Sequence, residues 1–191
     1  RAMFHDINKS LQAMRALASE ANSEGANSLL SETQKIFEDL GTAVDVGNNV
    51  VSIILNEYRQ LADDAGITFD YDVSIPHTLS ITAVDLYVLL GNTLDNAIEA
   101  CESLPEEQRY IHLQFRTFHE ILFLQIKNPY SKDYPLRIRG KNHGYGLQNV
   151  RKCVKKHNGH ISAEQENGVF TLSLRLADCV PATTNMRTLS Q

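Results

Sequence analysis

At Gly66 the hydrophobic pattern of this chain changes period, and that change limits what it can fold into. Before it, apolar residues recur at every third or fourth position, as they do along one face of a helix. Phe4, Ile7, Leu11, Met14, Ala18 and Ala21 make a first stripe, which breaks around Asn22-Ser23-Glu24-Gly25. A second register runs through Leu30, Phe37, Leu40, Val44, Val51, Ile54, Tyr58 and Leu61. Narrow stripes of this kind leave apolar surface uncovered in a lone hairpin. Residues 1–64 are therefore expected to form a helical hairpin. Pairing with a second copy as a four-helix bundle is the expected solution, the competing one being a monomeric hairpin packed on its own second domain.

Beyond Gly66 the texture is mixed. Ile67–Asp72 reads as a strand, and Thr82-Ala83-Val84-Asp85 reads as a capping box that opens a helix. Ile111, Leu113, Phe115 and Thr117 alternate with polar residues, as do Leu122, Leu124 and Ile126, predicting two strands that turn near His119-Glu120. A helix is expected from about Leu147 to His157, stopped by Asn158-Gly159. Two last strands, Ile161–Gln165 and Val169–Leu176, flank a turn at Glu166-Asn167-Gly168. Helices segregated from a largely antiparallel sheet make residues 65–177 a two-layer α/β sandwich and the chain as a whole α+β. The tail, 178–191, has no periodicity and is expected to be loose.

Size and composition agree with one large domain or two small ones: 191 residues, 42% hydrophobic and 21% charged. No apolar run is long enough to span a bilayer, and no signal peptide is visible. The chain opens on Arg rather than Met, as an excised fragment would. Cys101, Cys153 and Cys179 are an odd number without pairing or metal-like spacing, which points to a reducing, cytoplasmic compartment. The net charge of −5 conceals a basic block: Lys127, Lys132, Arg137, Arg139, Lys141, Arg151, Lys152, Lys155 and Lys156, opposed only by Asp133. Such a block favours anions, although it is also what a solvated basic face looks like. Nucleic acid is not the expected partner, because no aromatic interleaving accompanies the charges.

Three constellations carry chemistry. The first is the helix Leu89-Leu90-Gly91-Asn92-Thr93-Leu94-Asp95-Asn96-Ala97-Ile98-Glu99-Ala100. Asn92 and Asn96 leave the same face one turn apart, while Leu86, Leu89, Leu90, Leu94 and Ile98 can bury. Carboxamide oxygens are hard ligands suited to Mg²⁺, which travels with nucleotide phosphates; on a solvated face they would be ordinary polar residues. The second is His143-Gly144-Tyr145-Gly146-Leu147, where glycines at a helix start let the backbone approach phosphate oxygens, or simply form a turn. The third is His5-Asp6: the carboxylate can accept the Nδ1–H bond and leave Nε2 as a nucleophile, unless His5 is a plain surface residue.

In this order the features resemble a sensor histidine kinase core, and more closely its quorum-sensing and peptide-receptor branch. The resemblance rests on Phe4-His5-Asp6-Ile7, Ile54-Leu55-Asn56-Glu57, the Leu90–Ala100 helix, Lys127-Asn128-Pro129 and Gly144-Tyr145-Gly146-Leu147-Gln148-Asn149-Val150. It implies a dimerisation and phosphotransfer hairpin followed by a Bergerat-type ATP-binding domain. By that resemblance His5 is the phosphoacceptor and Asp6 its orienting base. Asn96 holds Mg²⁺ and Asn92 assists near the phosphates of ATP. Gly144, Tyr145, Gly146 and Leu147 border the nucleotide, Lys141 is a charge partner, and Thr171 joins the nucleotide-binding set. The partners implied are a second copy of the chain, a response regulator, and a membrane-anchored sensor region upstream.

Two departures stand out. Where the family carries Asp-x-Gly-x-Gly, this chain has Ile126-Lys127-Asn128-Pro129, so Asn128 takes the adenine-reading place. Lys9 stands four after the histidine, where phosphatase-active members have Asn or Thr. Family ATPases place a water-activating Glu where this chain has Asn92, which cannot act as a base and so favours transfer to a protein nucleophile. The competing reading is a dimeric scaffold whose nucleotide site is degenerate; a serine kinase of the anti-sigma type is more remote.

Overall fold

Alternation along the strands decides which face of the sheet is covered. The computed structural model describes residues 44–131 and 145–180. Within them run α1 (Asn49–Asp64), β1 (Thr68–Ser74), α2 (Ala83–Glu102), β2 (Tyr110–Phe118), β3 (Ile121–Pro129), α3 (Tyr145–Lys156), β4 (His160–Glu166) and β5 (Val169–Leu176). The strands form a five-stranded sheet in the order β1-β2-β3-β5-β4. Only β1 and β2 pair in parallel; the other three pairs are antiparallel, as the alternating patterns require.

On β2, Ile111, Leu113 and Phe115 are buried, and on β3 so are Leu122, Leu124 and Ile126. Phe170, Leu172, Leu174 and Leu176 of β5 complete that face. All three helices lie against it, and one continuous core joins Leu86, Leu89, Leu90 and Leu94 of α2 with Val150, Cys153 and Val154 of α3. The opposite face carries residues such as Gln114, Arg116, Gln125, Lys127, Thr171 and Arg175, which are at least partly exposed. The product is the expected two-layer sandwich.

Local chemistry sets the ends of the elements. Thr82 caps α2, its hydroxyl accepting from Asp85 N at 3.1 Å. The β4–β5 turn places Asn167 at φ 51° and Gly168 at φ 80°. This primed hairpin geometry matches the right-handed twist of the strands. Beyond the end of α3 at Lys156, Asn158 takes φ 49°, and Gly159 follows. A Cβ on Gly159 would come within 2.4 Å of the Arg175 carbonyl, so the chain turns there only because no side chain is present.

Two expectations need correction. The second apolar register does not run through as one helix, because α1 begins only at Asn49. Gly47 has φ 78°, and Asn48 is the N-cap in extended conformation, its Oδ1 accepting from Val51 N at 3.2 Å. Asp45 and Asn48, within the span expected to form the hairpin, precede α1 instead; Asp45 accepts from Gly47 N. Among the described residues, the stripe of α1 packs on α2 and the sheet rather than on a second hairpin helix. Val51, Ile54, Leu55, Tyr58 and Ala62 belong to the core shared with α2 and the sheet. Residues 49–64 therefore pack on the sandwich, the alternative that burial of a single stripe always left open. Asn56 fastens the approach to this helix, accepting from Val44 N at 2.9 Å and donating to Val44 O at 3.1 Å. The rest of the expected hairpin, with His5 and Asp6, lies outside the described residues, as do Lys141, Gly144 and most of the tail.

Candidate functional site

The carboxamides of α2 are oriented by their own helix. Asn92 Nδ2 donates to the Val88 carbonyl at 2.8 Å, and Asn96 Nδ2 donates to the Asn92 carbonyl, each one turn back. One N–H of each amide is thereby used on backbone, which fixes the amide and leaves its carbonyl oxygen as the acceptor it can offer a ligand. Both residues are half-buried. The Leu86, Leu89, Leu90 and Leu94 side of the same helix is buried in the core, so the predicted division of faces holds, with Ile98 only half-buried.

The first turn of α3 meets this face. A Cβ built on Gly146 would lie 3.1 Å from Asn92 Oδ1, tighter than ordinary contact. The missing side chain at position 146 thus lets the glycine-bearing helix start close on the asparagine helix. Leu147 is half-buried against the core and anchors that turn. Asn92 and Gly146, about fifty residues apart in sequence, are thereby brought together, with Asn96 one turn further along α2 and Leu147 next to the glycine.

Asn128 sits on the helix-facing side of β3, in line with Ile126, and is 1% exposed. Its Nδ2 donates to the Pro129 carbonyl at 2.9 Å, which fixes the amide and again reserves the carbonyl oxygen as an acceptor. Thr171 is not brought to this group. It pairs in register with Lys127, and its neighbours Phe170 and Leu172 take the buried face. Strand alternation therefore places Thr171 on the side of the sheet away from the helices. It cannot share a ligand with Asn92 and Asn96.

Sequence reasoning missed the residue that supports the site from behind. Tyr58 of α1 is 2% exposed, and its hydroxyl stands 2.7 Å from Asp95 Oδ1 and 3.0 Å from the Gly91 carbonyl. Burial, followed by the neighbouring Asp95 charge, pushes the phenol far above its ordinary pKa, so it remains a donor at any physiological pH. The available signal was a lone hydroxyl on an otherwise apolar helix face. A second missed group is Asp85. Burial alone would raise its pKa, but hydrogen bonds from Lys156, His157 and Thr82 outweigh that and hold the carboxyl below the usual value.

The arrangement offers hard carbonyl oxygens beside a helix start that a bulky side chain would obstruct. These are the requirements of a magnesium-bridged polyphosphate, and the residues present fit one.

Comparison with known proteins follows the same lines. A family profile described as GHKL domain matches residues 81–177. The chain is 25% identical over 146 residues to the sensor histidine kinase DcuS of Escherichia coli (strain K12), and a Shigella flexneri protein of the same name matches equally. That alignment covers 71% of this chain and 24% of the relative, so the chain spans about a quarter of the length of these curated proteins. Among solved structures, a nucleotide-free catalytic domain of histidine kinase ThkA superposes with TM-score 0.55 at 16% identity, covering 72% of this chain and 95% of that one. Acinetobacter baumannii histidine kinase AdeS superposes with TM-score 0.52 at 14% identity, covering 90% and 95%. These two likenesses concern the fold alone.

Proposed function

This chain belongs to the GHKL domain family, and from that premise we propose that it is the core of a sensor histidine kinase that phosphorylates its own His5 from Mg-ATP. The observation that carries the reading is the close approach of Asn92 Oδ1 to Gly146, which joins the two motifs singled out for phosphate chemistry.

Asn96 would hold Mg²⁺ through its carboxamide oxygen with Asn92 assisting, and the ion would supply neutralisation of phosphate charge. Asn128, its donor already committed to Pro129, would accept from the adenine amino group. Gly144, Tyr145, Gly146 and Leu147 would border the triphosphate, and Lys141 from the basic block would pair with its charge. Asp6 would accept the His5 Nδ1–H bond, so that Nε2 attacks the γ-phosphorus and the bond to the leaving ADP oxygen breaks. The phosphoryl group would then pass to an aspartate of a response regulator. Because α2 offers Asn92 where a water-activating carboxylate would stand, transfer to a side chain is favoured over hydrolysis. Action as a homodimer in the cytoplasmic portion of a membrane-anchored receptor completes the proposal. No helix among the described residues is long and apolar enough to cross a membrane.

Incubation with γ-labelled ATP tests this reading: acid-labile label should appear on the wild type and be absent from His5→Ala. Label that survives in His5→Ala rejects the assignment. One substitution favours a second reading, a dimeric scaffold that no longer takes nucleotide: Asn128 stands where the family has Asp. Calorimetry with Mg-ATP separates the two, since the scaffold shows no heat of binding at millimolar nucleotide.

A further inference from the structure

Three side chains that nothing in the sequence groups together meet where the start of α2 lies beside the end of α3. Asp85, Cys153 and His157 bring one carboxylate oxygen, one sulfur and one ring nitrogen within 4.8 Å of one another. His157 Nε2 is 3.0 Å from Asp85 Oδ2, and Cys153 Sγ is 3.8 Å from the Asp85 carbonyl oxygen. Asp85 and Cys153 are 8% and 6% exposed, and the His157 side chain 11%. Cys179, fully buried in the same core, is not one of the three. The same Asp85 oxygen takes the Lys156 ammonium at 2.7 Å, yet the Lys156 side chain is 60% exposed.

We propose that this cluster binds one zinc-class divalent cation through Asp85, Cys153 and His157, leaving the fourth position to water. The donor set selects the metal. One sulfur and one imidazole suit Zn²⁺ or Co²⁺, whereas Mg²⁺ and Ca²⁺ demand several oxygens. Ligand bonds of about 2.0–2.3 Å in a tetrahedron put donor atoms roughly 3.3–3.8 Å apart. The present separations reach that with side-chain movements of about an ångström. Lys156 acts as a placeholder: its ammonium occupies the carboxylate oxygen that the metal would take, and its exposed stem lets it leave for water. On loading, the Cys153 thiol releases its proton to solvent and the sulfur donates an electron pair to the metal. His157 donates through Nε2, and no group is oxidised or reduced. The cluster is separate from the phosphate site, because Asp85 and Asn92 are seven residues apart, about 10 Å along α2. A metal here would clamp the two helices that frame that site from their far end.

Cobalt is the probe. Chelator-treated protein is titrated with Co²⁺ and its absorption recorded. One equivalent should give a thiolate-to-cobalt charge-transfer band and the visible bands of tetrahedral cobalt, both removed by Zn²⁺. Cys153→Ser should abolish the charge-transfer band, and His157→Gln should weaken binding by about tenfold or more. Cys101→Ser, a thiol outside the cluster, should change neither. Lys156→Met, at an exposed position that does not threaten folding, should tighten binding several-fold by removing the competing cation. The proposal is overturned by the absence of a one-equivalent transition, by a charge-transfer band undiminished in Cys153→Ser, or by unchanged or weaker binding in Lys156→Met. None of these readouts depends on nucleotide or on kinase activity.

Discussion

The hydroxyl of Tyr58 reaches across from α1 to Asp95 Oδ1 at 2.7 Å, one residue before Asn96 on α2. The same oxygen is 3.0 Å from the carbonyl of Gly91, one residue before Asn92. With a single proton shared between these two acceptors, the phenol ties α1 to α2 along the two turns that carry the carboxamides, on the adjacent side of the helix. Its rotation about its own axis, which decides where the two asparagines point, is set by a residue that touches neither.

Tyr58→Phe keeps the ring in the core and removes only this tie. A loss of about 1 kcal/mol is expected, because Asp95 is exposed enough for water to replace the phenol. The urea midpoint should fall with unchanged slope. An unaltered midpoint would mean that the bond contributes nothing net.

Gly146→Ala places a methyl group 3.1 Å from Asn92 Oδ1. Either the Asn92 side chain yields or α3 shifts outward by a few tenths of an ångström. Alanine gains up to about 1 kcal/mol of helix propensity over glycine, so stability should change little. Binding of Mg-ATP, measured by calorimetry, should weaken by about tenfold, roughly 1.4 kcal/mol. In a double-mutant cycle with Asn92→Ala the two losses should be less than additive, since removing the amide removes the clash. Full additivity would show that the two positions act independently.

Asn48 serves α1 twice, as an N-cap through Oδ1 to Val51 N and through Nδ2 to the His77 carbonyl at 2.9 Å. Asn48→Ala should cost about 1–2 kcal/mol. Asn48→Asp retains the capping oxygen but cannot donate to His77, so its thermal midpoint should fall between those of the wild type and the alanine variant. Equal midpoints for Asn48→Asp and Asn48→Ala would locate the whole effect in the His77 bond.

Cys101 is fully buried at the end of α2, and burial pushes its thiol up to about 11. At pH 8 very little of it is thiolate, and that little is shielded. Ellman's reagent should therefore label Cys101 slowly in the native protein, as followed in Cys153→Ser/Cys179→Ser, and at once in concentrated urea. Fast native labelling would show that the end of α2 opens readily.

Much of the sandwich was legible because each strand and helix carries its own period. Ile111, Leu113 and Phe115 could be assigned to one face from alternation alone, and Asn167-Gly168 named its turn by backbone preference. Asn92 and Asn96 were legible for the same reason, since a spacing of four on a helix is a local property. The reading failed at α1, where Val51, Ile54 and Tyr58 show a stripe without showing what covers it. It failed again at Thr171, whose face follows from its register against Lys127 rather than from its identity.

The sequence by itself determined the elements and the chemistry they carry: two carboxamides one turn apart, glycines at a helix start, and a sheet with one apolar face. Those follow from interactions within a few residues of one another. The tertiary structure alone decided that α1 covers the sandwich, that Gly146 closes on Asn92, and that Asp85 meets Cys153 and His157. Such meetings depend on how helices settle against a common sheet, a packing optimum shared by the whole core, and no local pattern of residues encodes it.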